Sequence, residues 1–131
     1  LMAYGFLKRI FEIFDHHRTA VDVVSTSEVS VSLTLDETSA LWDIITELKR
    51  IGEVKVDGSK AIVCCVGDNL RNIPGVAHFV FSAVQDVNVH MISQGASAIN
   101  ITFVVDEDRL AQVVRGLHDV FFQQLDPLIF E

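Results

Sequence analysis

Positive charge is scarce in this chain, and so are cysteines and long hydrophobic runs. Lys and Arg together number 10 against 18 Asp and Glu, which gives a net charge of −8. This balance argues against a nucleic acid partner and against an anionic membrane surface, because both attract Lys and Arg. No apolar run approaches the roughly 20 residues that span a bilayer, and no signal peptide is visible at the start. We therefore expect a cytoplasmic protein.

The two cysteines are adjacent in the sequence, and their position bears on whether they form a disulfide. Cys64 and Cys65 would point to opposite faces of a strand, so a disulfide between them is disfavoured. We expect both to be small apolar core residues in a reducing compartment.

Catalytic constellations are also missing. The sequence contains no Gly-rich phosphate loop, no zinc-ligand spacing and no nucleophile elbow. His16 and His17 are adjacent, so they cannot share a metal as an i, i+4 pair does, and their polar neighbours predict a solvated helix end. An acylphosphatase-like hydrolase is an alternative only through Arg71 and Asn72, which no phosphate loop surrounds. We expect no catalytic residue, metal or cofactor in this chain.

What the chain does have is an internal repeat with an offset of about 70 residues. Each copy opens on a glycine, Gly5 or Gly75, followed by an apolar helical pattern, two strand patterns and a second helical pattern. This offset is too long for a solenoid unit, which runs about 20–50 residues. Half of the residues are hydrophobic, enough for each copy to have a core. The repeat therefore predicts two small α+β modules.

The two copies predict similar orders of elements. Copy one predicts a helix from Gly5, strands over 21–27 and 29–35, a helix over 39–51 capped by Asp36, and a strand over 53–56. Copy two predicts a strand over 60–66, a helix over 75–84, strands over 87–93 and 98–105, and a helix over 107–122. Residues 128–130 are either a closing strand or a tail. Each complete unit would be β-α-β-β-α-β, the ferredoxin-like motif. The fold class is thus α+β, with module one at 1–58 lacking its N-terminal strand and module two at 59–131.

Two features of module one suit the binding of a small amino acid. The helix that starts at Gly5 presents free backbone N–H groups and the positive end of its dipole, which suits an α-carboxylate. Asp22 could hold an ammonium group, and we expect it close to the start of that helix. Ser27 and Glu28 could add polar contacts where the two strands join. The alternative is that Gly5 is an ordinary loop residue and Asp22 an exposed charge.

Three segments resemble the tandem ACT domains of aspartate kinases: Tyr4-Gly5-Phe6-Leu7, Val21–Ser30 and Met91–Ser97. The resemblance covers essentially the whole chain and is nearest to monofunctional, lysine-sensitive enzymes. It implies an upstream kinase domain that uses ATP and Mg to phosphorylate the side chain of aspartate, the first step towards lysine, threonine and methionine. The ACT pair would be the feedback sensor of that enzyme, would form a homodimer, and would itself hold no cofactor.

The resemblance also implies a lysine site at a dimer interface of the first module. The matching positions are Gly5, Phe6 and Leu7 near the ligand carboxylate, and Ala20, Val21, Asp22 and Ser27 around its amines. Relatives can carry serine where this chain has Ala20. The second module has His90 in the place of Asp22, so we expect it to be mainly structural. The alternatives are a threonine or S-adenosylmethionine sensor, or an ACT pair that serves oligomerisation alone.

Overall fold

The computed structural model describes residues 4–27, 30–67, 74–94 and 100–122. The chain divides into two compact units, Leu1–Asp57 and Gly58–Glu131, called module 1 and module 2 below. Both combine helices with antiparallel strands, as the sequence predicted. The predicted strand over 128–130 and the candidates Glu28, Arg71 and Asn72 lie outside the described residues. Within the described ranges, no helix is long and apolar enough to cross a membrane.

Module 1 has one helix before its hairpin and one after it. The elements are α1 (Phe6–His16), β1 (Val24–Thr26), β2 (Val31–Leu33) and α2 (Leu41–Leu48). The apolar stripe of α1 buries Ile10 and Phe14 against Ile44 of α2, which is only 1% exposed. Side chains from the hairpin, including Val31 and Leu33, pack against this cluster. The i, i+4 spacing within α1 is what brings its buried residues onto one face.

Two predictions for module 1 are wrong. Asp36 does not cap α2: the cap position is Ala40, which makes no side-chain cap hydrogen bond. Instead, Glu37 accepts the Ser39 N–H at 2.9 Å, and this hydrogen bond lowers the pKa of the Glu37 carboxyl. Residues 53–56 are not a strand. In the ferredoxin-like order a closing strand pairs only with the first strand, and the described residues contain no strand before α1 to pair with.

Module 2 is a three-stranded antiparallel sheet with helices on one face. Its elements are β3 (Lys60–Val66), α3 (Val76–Ser82), β4 (Val89–Ser93), β5 (Asn100–Asp106) and α4 (Leu110–Val120), with a 3-10 turn at Glu107–Arg109. The strand order is β3-β5-β4, which matches the ferredoxin-like motif. The most deeply buried core residues, each 0% exposed, are Val80, Ile101, Phe103, Val105 and Val113.

The adjacent cysteines take different environments. Cys65 is buried in the core on the helix side of β3, and burial raises the pKa of its thiol to about 11. Cys64 is exposed, and Thr102 on β5 donates to its Sγ at 3.5 Å. The expectation that both belong to the core is therefore wrong for Cys64. The physical reason is the two-residue period of a strand, since only one face of this sheet is covered by helices.

The close approach of α4 to α3 depends on Gly116. A Cβ built at Gly116 would lie 2.6 Å from the carbonyl oxygen of Ala83. We expect Gly116→Ala to lower the free energy of unfolding by about 1–2 kcal/mol, because displacing a packed helix outweighs the ~1 kcal/mol gain in helix propensity. The control is Gly58→Ala, where the added methyl meets no atom within 4 Å. Urea unfolding measures both, and equal stability of the two variants would contradict the close approach.

Candidate functional site

The start of α1 has the features of an anion-binding helix end. Gly5 takes a left-handed conformation, with φ of 81°, that lets the chain turn into the helix. The first turn carries no acidic residue, and no side chain caps its N–H groups. Phe6 is half-buried in the module 1 core, whereas Leu7 is 38% exposed. Backbone N–H groups and one apolar side chain are thus available to a ligand carboxylate and its neighbouring carbons.

The segment that contains Ala20, Val21 and Asp22 lies beyond the other end of α1. The N–H of Thr19 donates to the carbonyl oxygen of Phe14 at 3.0 Å, which fixes the chain at the C-terminal end of the helix. Ala20 and Asp22 are exposed, and Val21 is half-buried in the module 1 core. Asp22 is thus an exposed carboxylate beside the buried Val23, and it can receive an ammonium group from outside the module.

The two groups of candidate residues adjoin α1 at its beginning and after its end. Gly5 and Phe14 are nine helical residues apart, which corresponds to about 13 Å. Gly5 begins α1 at its N-terminal end, and the Ala20–Asp22 segment follows Thr19 at its C-terminal end. The expectation that Asp22 is close to the helix start stays a prediction. A second copy of the chain could also supply one of the two groups to a single amino acid.

Ser27 lies at the far end of β1 from Asp22, separated by about 16 Å of extended chain. Its N–H donates to the Ser30 carbonyl oxygen at 2.8 Å, and the two hydroxyls are 3.0 Å apart. The Ser30 N–H in turn donates to the Ser27 hydroxyl at 3.2 Å. These contacts close the β1–β2 turn, so Ser27 already has a structural role besides the ligand contact that the resemblance implies.

The β1–β2 and β4–β5 hairpins share one register, which confirms the internal repeat. Equivalent cross-strand pairs are Val24–Leu33 with Ile92–Phe103, and Ser25–Ser32 with Ser93–Thr102. Both hairpins also contain a bulge-like extra residue at the same place. In module 2 it is His90, between the paired residues Val89 and Met91, and in module 1 the equivalent residue is Asp22.

In module 2 the side chain at the bulge position, His90, is bound by another residue of the same module. His90 Nε2 lies 2.9 Å from Asp106 Oδ1, and Lys60 Nζ donates to the same oxygen at 2.7 Å. The hydrogen bond from Lys60, followed by that from His90, lowers the pKa of the Asp106 carboxyl. One carboxylate therefore links β3, β4 and β5, and the equivalent of Asp22 is used for structure.

Two polar features of module 1 were missed by sequence reasoning. His17 Nε2 contacts the Glu47 carboxylate of α2, so the end of α1 is tied to α2 and is less solvated than predicted. This hydrogen bond lowers the pKa of Glu47. Thr34 bonds to both Asp22 and Val23. No local sequence pattern predicts these contacts, since His17 and Glu47 are 30 residues apart and Val23 and Thr34 are 11 residues apart. No cluster of metal-ligating residues occurs in the part of the chain that the structure describes.

Comparison with known proteins places this geometry in a family. Residues 63–121 match the family model described as ACT domain. A solved structure assigned as a C-terminal regulatory domain of aspartate kinase from Porphyromonas gingivalis W83 matches with a TM-score of 0.84 and 36% identity, over 94% of this chain and 84% of that one. The chain belongs to the ACT-type regulatory domains of aspartate kinases. The expected fold is thereby confirmed.

One longer relative carries sensitivity to lysine in its name. Lysine-sensitive aspartokinase 3 of Escherichia coli (strain K12) is 36% identical over 131 residues, which cover 94% of this chain and 29% of that protein. The structure of E. coli aspartokinase III with lysine and aspartate (T-state) matches with a TM-score of 0.77 and 35% identity, over 98% of this chain and 28% of that one. The regulatory chain spans about a quarter of the curated relatives that it matches.

Proposed function

We propose that module 1 of this regulatory chain binds lysine and thereby controls an aspartate kinase. The observation that carries the proposal is the exposed Asp22 on a strand bulge, in a module whose first helix offers an uncapped N-terminus. The carboxylate of Asp22 can bind the ammonium group of an amino acid, and the positive end of the helix dipole can bind its carboxylate. The likeness to a lysine-sensitive enzyme of E. coli supports lysine over other effectors.

The site that we propose is shared between two copies of the chain. One copy supplies Gly5, Phe6 and Leu7 to the ligand carboxylate, and the other supplies Ala20, Val21 and Asp22 to an amine. The resemblance to aspartate kinases, which implies a lysine site at a dimer interface, is the support for this arrangement. A two-fold axis would create two identical sites at once, as isologous dimers do. Lysine binding would then stabilise the dimer arrangement that contains it.

The regulated activity is assigned to the rest of the protein. The kinase domain, with ATP and Mg, would phosphorylate the side-chain carboxylate of aspartate, and lysine would be the feedback inhibitor of that pathway. Coupling free energies between allosteric sites are typically about 1–3 kcal/mol, equivalent to roughly 5–150-fold in affinity. Such a coupling needs only that lysine bind one arrangement of the regulatory dimer better than the other.

We expect the full-length protein to bind lysine by calorimetry and to lose kinase activity as the site fills. Threonine and S-adenosylmethionine, titrated in parallel, are expected to give no heat of binding. Heat from either of these instead of lysine would reassign the effector. No binding of any of the three, together with unchanged aspartate kinetics, would leave oligomerisation as the function of the ACT pair and overturn the proposal.

A further inference from the structure

Thr34 makes three hydrogen bonds to the bulge that carries Asp22. Its carbonyl oxygen accepts the Asp22 N–H at 2.9 Å, and its own N–H donates to the Val23 carbonyl oxygen at 3.0 Å. Its side-chain Oγ1 accepts the Val23 N–H at 3.0 Å. Two residues of one strand therefore face a single residue of the other, which is the arrangement of a β-bulge.

The hydroxyl of Thr34 accepts a hydrogen bond from an N–H group that the bulge leaves without a backbone partner. Because two residues oppose one, the backbone of the second strand cannot satisfy both N–H groups in the regular way. Val23 is only 8% exposed, and a buried N–H without a partner is costly. The Thr34 hydroxyl supplies the missing acceptor, and it thereby fixes the backbone conformation that sets the direction of the neighbouring Asp22 side chain.

Module 2 offers a natural comparison within the same chain. The residue equivalent to Thr34 is Val104, which faces Met91 across the equivalent bulge and has no hydroxyl. The bulge residue there is His90, which is held by Asp106 through its own side chain. The threonine thus occurs in the module whose bulge residue is an exposed carboxylate, and it is absent from the module whose bulge residue is already bound.

We propose that Thr34 is a positioning residue, which holds Asp22 in the orientation that a ligand ammonium requires. The inference rests on the lysine-binding function proposed above and deepens it. Thr34 itself need not touch the ligand, because its effect passes through the Val23 N–H. The fit of the ligand ammonium to Asp22 would then depend on the Thr34 hydroxyl, which does not itself contact the ligand.

The test compares Thr34→Val with Thr34→Ser in the full-length protein. Valine has nearly the shape of threonine, and Val104 shows that this fold accepts it at the equivalent position. Serine keeps the hydroxyl and loses only a methyl group. We expect Thr34→Val to weaken lysine binding roughly ten-fold, because the apparent affinity falls with the fraction of molecules that hold Asp22 in the binding orientation, and Thr34→Ser to restore most of it. Hydrogen exchange at the Val23 amide should accelerate in Thr34→Val alone.

The outcomes separate this inference from the function on which it rests. If the unsubstituted protein does not bind lysine, both are overturned. If it binds lysine and Thr34→Val binds equally well, the positioning role is wrong and the lysine site stands. Equal weakening in Thr34→Val and Thr34→Ser would also overturn the role, because the hydroxyl could not then be the cause. Thermal unfolding of each variant identifies a loss of affinity that comes from an unfolded fraction.

Discussion

Replacing Phe103 by alanine is expected to destabilise module 2 by about 3–5 kcal/mol, the typical cost of removing a buried aromatic side chain. Phe103 is 0% exposed, and its ring meets that of Phe81 edge-on with centroids 5.5 Å apart. It lies on the central strand β5, so the cavity would border both neighbouring strands and α3. Hydrogen exchange of the β5 amides measures the loss, since these amides should report the stability of the whole module.

The matched control for this core substitution is Phe122→Ala. Phe122 is 55% exposed, although its ring lies 4.6 Å from that of His118. Its removal should cost no more than about 1 kcal/mol. The single tryptophan, Trp42, belongs to module 1 and is 74% exposed, so its fluorescence can follow module 1 separately. A similar loss of stability in the two phenylalanine variants would contradict the core that the structure assigns to module 2.

The elements that sequence reasoning predicted best are those whose boundaries have local causes. The strand over 60–66 was predicted with the bounds that β3 has, because an apolar run lies between Gly58 and Gly67. The strands of module 1 are shorter than predicted. Val24–Thr26 replaces 21–27, because the bulge at Asp22 interrupts the ladder at one end and the Ser27–Ser30 contacts close the turn at the other. Neither cause is visible in the hydrophobic pattern.

Candidate residues could be named from the sequence, but their relation in space could not. The repeat and the family motif pointed to Gly5 and Asp22, and the structure places each at an exposed position of module 1. Their relation in space depends on where α1 ends and on the course of the chain after it, and the hydrophobic pattern shows neither. Thr34 escaped notice because a threonine on a strand is ordinary, and its role depends on a one-residue offset in register.

The two modules differ at the bulge position of a shared hairpin framework. Where module 2 has His90, tied by its ring to Asp106, module 1 has a carboxylate that points to solvent. The His90–Asp106 contact is itself partly exposed, with 29% and 41% of the two side chains accessible, and an exposed carboxylate such as Asp22 likewise contributes little to folding. The exposed charge of module 1 is thus available for recognition at little cost in stability. This difference is what supports our proposal that module 1 binds the ligand and module 2 is mainly structural.

Asp22→Ala is expected to reduce lysine affinity about a hundred-fold or more. Removing one member of a hydrogen-bonded charge pair that becomes buried on binding costs about 2–5 kcal/mol, and each 1.4 kcal/mol is ten-fold in affinity. The fold should persist, because Asp22 is exposed and its backbone N–H keeps the bond to Thr34. We therefore expect the free energy of unfolding to change by less than about 0.5 kcal/mol. Calorimetry with lysine, alongside urea unfolding, measures both quantities.

The control for Asp22→Ala is Asp36→Ala, which removes an exposed carboxylate from the same module. Both variants change the net charge by the same amount, so a general electrostatic attraction for lysine would weaken equally in the two. A direct contact predicts a large loss for Asp22→Ala and almost none for Asp36→Ala. Raising the salt concentration should reduce a general attraction and have less effect on a direct, partly desolvated pair. Equal affinities in the two variants would place the ammonium group of lysine away from Asp22.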